Sequence, residues 1–178
     1  MEQVVLRCPE TKELLAYWNG LPRRHLVPDR KHFDPVKIPH LMPRIAILDV
    51  YSADVARFRL FGTGLVKLFG QDLTGKNYPD FYNTAARGLF NKMTMAQVAL
   101  PCGRVSVVRG QFADGQRARA EILSLPLDHE TAGHALAIAA VGVIEKLGIG
   151  EPVLEITDIE ETAWIDIGAG VPDWLPDQ

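Results

Sequence analysis

No lysine or arginine occurs from Glu151 onward in this 178-residue chain, although eight acidic residues do. With those eight set aside, 14 acids face 19 bases in residues 1–150, so a body of charge +5 precedes an acidic tail. The bases are dispersed and the tail would repel phosphates, which argues against a nucleic-acid partner. Cysteine is scarce: Cys8 and Cys102 match no metal or redox spacing and imply free thiols in a reducing cytoplasm. No run approaches 18 uninterrupted apolar residues, which excludes a membrane-spanning helix. The stretch Met1 to Arg7 lacks the basic start and long apolar run of a secretory signal. A cytoplasmic location is the expectation.

Catalytic signatures are missing too. No serine sits in a Gly-x-Ser-x-Gly elbow, and Cys102 has no histidine close in sequence. His129 and His134 stand five apart across a turn containing Gly133, whereas a zinc-protease pair stands four apart on one helical face. They read as solvated turn histidines. His25, His32 and His40 lie beside Arg23, Arg24, Arg30 and Lys31, without the acidic or thiolate company of a metal site. Gly62-Thr63-Gly64 opens like a dinucleotide fingerprint, but Lys67 occupies the third glycine position. Gly70 to Lys76 comes within one residue of a P-loop, yet Asn77 replaces the metal-binding hydroxyl and the segment follows a helix. The glycines read as structural elbows.

The chain's patterning supplies elements instead. Residues 10–19 form an amphipathic helix with Leu14 and Trp18 one turn apart and Leu15 beside them. That stripe serves either as a lid on the domain's own core or as a dimer contact, with Leu14, Leu15 and Trp18 as the candidates. Five of twelve prolines fall in residues 22–43, so this is a crossing segment of short turns; Arg30 and Asp34 within it suggest an ion pair or turn bond. Strands are expected over 45–51 and from Phe58 to Gly62, with Leu60 on the same apolar face as Phe58. A helix over 65–69, a further helical piece near 78–82 and a long helix over 84–99 capped by Asn83 follow. Leu89, Met93 and Ala96 recur there at helical spacing. Strands over 105–112, 117–127 and 135–144 close the body, the first two joined by the Asp114-Gly115 hairpin turn.

The order β-β, helices, β-β-β gives an α+β fold, an antiparallel sheet with helices on one face. It resembles a PAS domain. The resemblance is sharper in Leu14 to Trp18, in Pro28-x-Arg30-x-x-x-Asp34-Pro35 and in Leu41-Met42-Pro43-x-Ile45-x-Ile47-Leu48-Asp49. Phe58 to Thr63 and Phe69 to Gly75 extend it, the Gly-Thr pair and Asp72-Leu73-Thr74-Gly75 being the most specific parts. Together they are similar to a bacterial family of small stand-alone PAS-like proteins common in alphaproteobacteria. The likeness spans roughly residues 12–145.

That resemblance implies a five-stranded antiparallel sheet, a cavity between sheet and helices, and signalling rather than catalysis. It also implies dimerisation through N-terminal helices and output through a signalling partner, since no kinase, cyclase or DNA-binding domain accompanies it. A haem is disfavoured because the long helix has no histidine, and flavin–thiol photochemistry because no cysteine lies between Cys8 and Cys102. A carboxylate site of the citrate-sensor type has no matching histidine-and-arginine motif. What remains is an apolar cavity for an unidentified small ligand, lined by Leu60, Phe69, Leu89, Phe90, Met93 and Ile122, or a packed core without one.

The expected organisation is an N-terminal helical segment (1–22), a PAS-like domain (23–147) and the acidic tail (148–178), docked on the basic body, solvated or engaged with a partner. The expected function is a non-enzymatic, homodimeric regulatory protein tuned by a small ligand. The alternative is a small-molecule enzyme or carrier using the same cavity, with Arg59, Thr63, Arg109 or Ser124 as its polar groups.

Overall fold

The computed structural model describes residues 5–129, 132–146 and 155–174. Its centre is strand β1 (Ile45–Val50), buried along its whole length. A strand buried on both sides needs a layer on each face, and this chain supplies two. Ile45 and Ile47 point into one core, Ala46, Leu48 and Val50 into the other.

Around β1 the sheet is completed by β2 (Ala56–Phe61), β3 (Gly103–Gln111), β4 (Arg117–Leu127), β5 (Ala135–Lys146) and β6 (Glu155–Ile165), in the order β2-β1-β5-β4-β3-β6. Every neighbouring pair is antiparallel. The sixth strand is a difference from the sequence reading, which placed this stretch in a tail. Its pairing with β3 is bulged at Thr157 and again at Glu160, since Val107 faces Glu161 while Val108 faces Ile159. Each bulge inserts a residue and breaks the two-residue alternation by which strands are recognised. Physically, β6 covers the edge of β3, whose N–H and C=O groups would otherwise stand unpaired.

Docking of this strand also accounts for the charge asymmetry. Glu160 takes hydrogen bonds from Arg109 and Arg119, and Glu161 pairs with Arg7. The acids of the last strand meet the arginines of the body.

One face of the sheet carries α2 (Thr63–Phe69), a 3-10 turn at Tyr78–Phe81 and α3 (Thr84–Ala99). Asn83 caps α3 as its sequence position suggests, its carboxamide oxygen accepting from the Ala86 N–H at 2.9 Å. The other face carries α1 (Pro9–Asn19) and the proline-rich crossing. Here Leu14 is 0% and Trp18 1% exposed, and the Trp18 indole N–H donates to the Pro126 carbonyl at 2.8 Å. Of the two readings of the aromatic stripe, the structure gives the lid on the chain's own core; only Leu15 of the three dimer-contact candidates stays partly open. A bridge between Asp29 and Asp128 ties the crossing to the end of β4. Asp34 makes a turn bond, accepting from Val36 N–H, rather than an ion pair with Arg30.

The Gly62-Thr63-Gly64 turn owes its glycines to backbone contact. A Cβ on Gly62 would lie 2.4 Å from the Met42 carbonyl oxygen, and one on Gly64 2.8 Å from that of Pro43. Small residues let α2 press against the turn before β1. Asp72 closes the next bend by accepting from the Thr74 N–H and hydroxyl, and Leu73 is fully buried there. Neither segment is a phosphate cradle. No helix among the described residues is long and apolar enough to cross a membrane.

Candidate functional site

Between the sheet and the α2/α3 layer lies a cavity of about 870 Å³. Five alanines, Ala46, Ala56, Ala120, Ala137 and Ala139, face it from the sheet, among larger residues such as Leu48, Val108, Ile122 and Val141. Where larger aliphatic side chains would fill the space between layers, methyl groups leave it open.

The wall is aromatic. Phe58 contacts Tyr78 (ring centroids 4.9 Å apart), Tyr78 contacts Phe90 (4.8 Å), and Phe90 stacks on Tyr82 (4.5 Å). The lining residues that reach solvent are Arg24, His25, Leu26, Val98 and Asp128, so the cavity opens beside the end of α3 and the end of β4. A volume of this order and a mostly apolar lining are ordinary for a small-molecule site.

Four of the six residues expected at a cavity line it: Phe69, Phe90, Met93 and Ile122. Leu60 and Leu89 do not, each for a local reason. In β2, Leu60 faces Ile47 while Phe58 faces Leu48, so Arg59 is an extra, bulged residue. The bulge turns Phe58 and Phe61 toward the cavity and Leu60 toward the opposite core. In α3, the buried face runs through Ala86, Phe90, Met93, Thr94 and Gln97, and Leu89 packs instead with Trp164 and Cys102.

The polar groups expected to converge there are mostly elsewhere. Arg59 pairs with Asp49, Arg109 with Glu160, and Thr63 is exposed at the start of α2. Ser124 does line the cavity, where its hydroxyl donates to the Gln97 carboxamide oxygen at 3.3 Å. Gln97 in turn donates to the carbonyls of Cys102 and Ser124. His134 is not a solvated turn residue: its imidazole bonds Asp49 at 2.9 Å and lies tilted against the Tyr51 ring with centroids 4.4 Å apart. Neither Cys8 nor Cys102 lines the cavity, and no cluster of three or more metal-ligating side chains exists among the described residues.

Among the lining residues absent from the sequence reading of the site are Thr94, Gln97 and Arg104. Arg104, at the start of β3, shares a strand face with Ser106 and Val108 and is 7% exposed. Its guanidinium lies 5.5 Å over the Phe90 ring and makes one long contact, 3.5 Å, to the Thr94 hydroxyl. Burial pushes its pKa down from the ordinary arginine value, and the nearby Tyr82, Tyr78 and Cys102 push the other way; an arginine so placed stays charged. The Tyr82 hydroxyl donates to that of Tyr78 at 2.9 Å, and burial raises the pKa of both phenols. The sequence signal was a basic residue in register with Ser106 and Val108 on one inward strand face.

A layer of helices over one face of an antiparallel sheet, with a cavity between, is the architecture implied by the motifs. A profile of the PAS domain family matches residues 6–144, more than half of the chain. The chain belongs to the PAS domain family. No curated protein matches it in sequence. Among solved structures, this PAS protein is similar to a fungal LOV domain photoreceptor at 19% identity and a TM-score of 0.42, over 56% of this chain and 73% of that one. It is also similar to an RNA-binding light-oxygen-voltage receptor at 15% identity and a TM-score of 0.45, over 70% of this chain. There the match spans only 37% of the receptor.

Proposed function

We propose that this PAS protein is a non-enzymatic regulator that senses a small ligand in the cavity and acts through protein contact, self-association included. The observation that carries this is the cavity of about 870 Å³, a space a packing-only core would have closed. Membership in the PAS family supports a sensory role. Of the polar side chains inside, Ser124 is bonded to Gln97 and Tyr82 to Tyr78, so neither that serine nor those phenols is held by a base, which weighs against turnover. A carrier would use the same cavity and differ only in lacking a downstream contact.

Self-association through α1 would use its outer flank around Leu15, because Leu14 and Trp18 are committed to the monomer. Deleting the first 20 residues would therefore unfold a core rather than test an interface. Native mass spectrometry of freshly purified protein tests the reading, because it reports retained ligand mass and oligomeric state together. Retained small-molecule mass that disappears on mild denaturation is the expected result. A ligand-free protein whose thermal stability responds to no member of a broad metabolite panel would overturn it.

A further inference from the structure

Arg104 is the one buried cation among the described residues. Arg7, Arg59, Arg87, Arg109 and Arg119, all more exposed, have carboxylate partners. Arg104 has none. A guanidinium carries five N–H donors, and here a single long contact to Thr94 and the face of Phe90 are all that meet them. A buried charge without a counter-ion is costly, and proteins pair such charges or neutralise them.

The neighbouring polar groups do not supply the missing acceptor. Gln97 and Ser124 are bonded to each other and to backbone carbonyls. Tyr78 and Tyr82 share one hydrogen bond, which leaves one phenolic hydrogen of the pair as a further donor. No salt bridge among the described residues gives Arg104 a carboxylate at this end of the cavity, while Ala46, Ala120, Ala139, Phe58 and Phe69 add apolar surface.

We propose that the cavity takes an organic monoanion, a carboxylate on an apolar body, with Arg104 as its counter-ion and the Tyr78–Tyr82 pair as a second donor. The proposal rests on the reading of the cavity as a ligand site. A guanidinium fork matches the two oxygens of a carboxylate. A phosphate monoester would bring about −1.5 to −2 charges and three strong acceptor oxygens, more than one guanidinium and one phenol satisfy. The apolar body lies against Ala46, Ala120 and Ala139, and the exposed Arg24 lies at the mouth opposite Asp128.

The test is calorimetric titration of the full chain at about pH 7.5, where a carboxylic acid is ionised. Two probe pairs are used: decanoate against decan-1-ol, and 1-naphthaleneacetate against its alcohol counterpart. In at least one pair the acid binds about tenfold or more tighter than the alcohol, as expected for a charge-assisted contact in a dry site. Arg104→Met loses that preference while still binding the alcohol, and Arg104→Lys keeps part of it. Equal binding of acid and alcohol by the native chain would overturn the anion assignment and leave the cavity standing as a ligand site. Binding by neither pair would overturn the assignment and count against the cavity reading as well. If Arg104→Met fails to fold, the acid–alcohol comparison on the native chain and on Arg104→Lys still decides.

Discussion

The backbone N–H of Cys8 donates to the Glu121 carboxylate at 3.0 Å, joining the start of α1 to the middle of β4 across 113 positions of sequence. The same carboxylate accepts from the Arg7 N–H and the Thr11 hydroxyl, so a buried acid supplies the acceptor that α1 lacks at its own N-terminus. Gly142 makes room: a Cβ there would lie 2.2 Å from that of Cys8. Glu121→Ala should cost about 2–3 kcal/mol, since it leaves buried donors without a charged acceptor, and Gly142→Ala about 1–3 kcal/mol through overpacking. Urea unfolding measures both. A Glu121→Ala loss below about 0.5 kcal/mol would show that α1 is held by its apolar face alone.

Filling the cavity should separate folding from ligand uptake. Ala139→Leu puts three extra carbons into the cavity, and cavity-filling changes commonly add about 0.5–2 kcal/mol. The variant should melt at or above the native temperature and no longer bind any probe the native chain takes. A marked drop in melting temperature would mean that the space is already occupied by side chains in solution.

Removing Trp164 or its strand should expose both a cluster and an edge. Trp164 packs with Met93 and Cys102, and its indole N–H donates to the Trp174 carbonyl at 2.8 Å. Trp164→Ala should cost about 3–5 kcal/mol. Deleting residues 151–178 should also bare the β3 edge and give concentration-dependent association in sedimentation velocity. A truncated chain that stays monomeric and equally stable would contradict the role assigned to β6.

Acid should destabilise the fold through two carboxylates. Burial alone would raise the pKa of Asp49, but hydrogen bonds from Arg59 and His134 outweigh it and hold it below 3.8. Burial likewise opposes, and Arg119 and Arg109 overcome, in holding Glu160 below 4.5. Both are lowered in the folded state, so their contribution is complete above the unfolded values and is lost as pH falls through the folded ones. Asp49→Asn should cost about 1 kcal/mol near neutrality, and the gap from the native chain should close progressively below about pH 5. A gap that does not change with pH would show that the pair acts by packing alone.

Neither thiol should react in the folded protein. Burial pushes the Cys102 pKa up to about 11, and raises that of Cys8 as well. The thiolate is the reactive form, so an aromatic disulfide reagent at pH near 8 should label no thiol until urea is added and both thereafter. Rapid labelling of the native chain would contradict their placement.

Much of this architecture was legible because it is written in short-range patterns. Apolar runs mark β1 and β5, alternating runs mark β3 and β4, the Asp114-Gly115 turn marks a hairpin, and Asn83 marks the start of α3. The motifs around Gly62 and Asp72 marked the PAS fold even though Gly62 and Gly64 serve contact with Met42 and Pro43, a reason visible only in three dimensions.

Bulges set the boundary of what could be read. A single extra residue at Arg59 sent Leu60 to the opposite core, and two more, at Thr157 and Glu160, hid a whole strand inside an acidic tail. Partnership set the other boundary. Sequence supplies the number of charges, but only the assembled sheet decides that Glu160 meets two arginines, that Leu14 and Trp18 close a core, and that Arg104 faces the cavity with no carboxylate beside it. The sequence by itself determined the elements and the fold they form, because propensity and alternation act between neighbours along the chain. The tertiary structure decided the site, because burial and charge pairing act between residues a hundred positions apart.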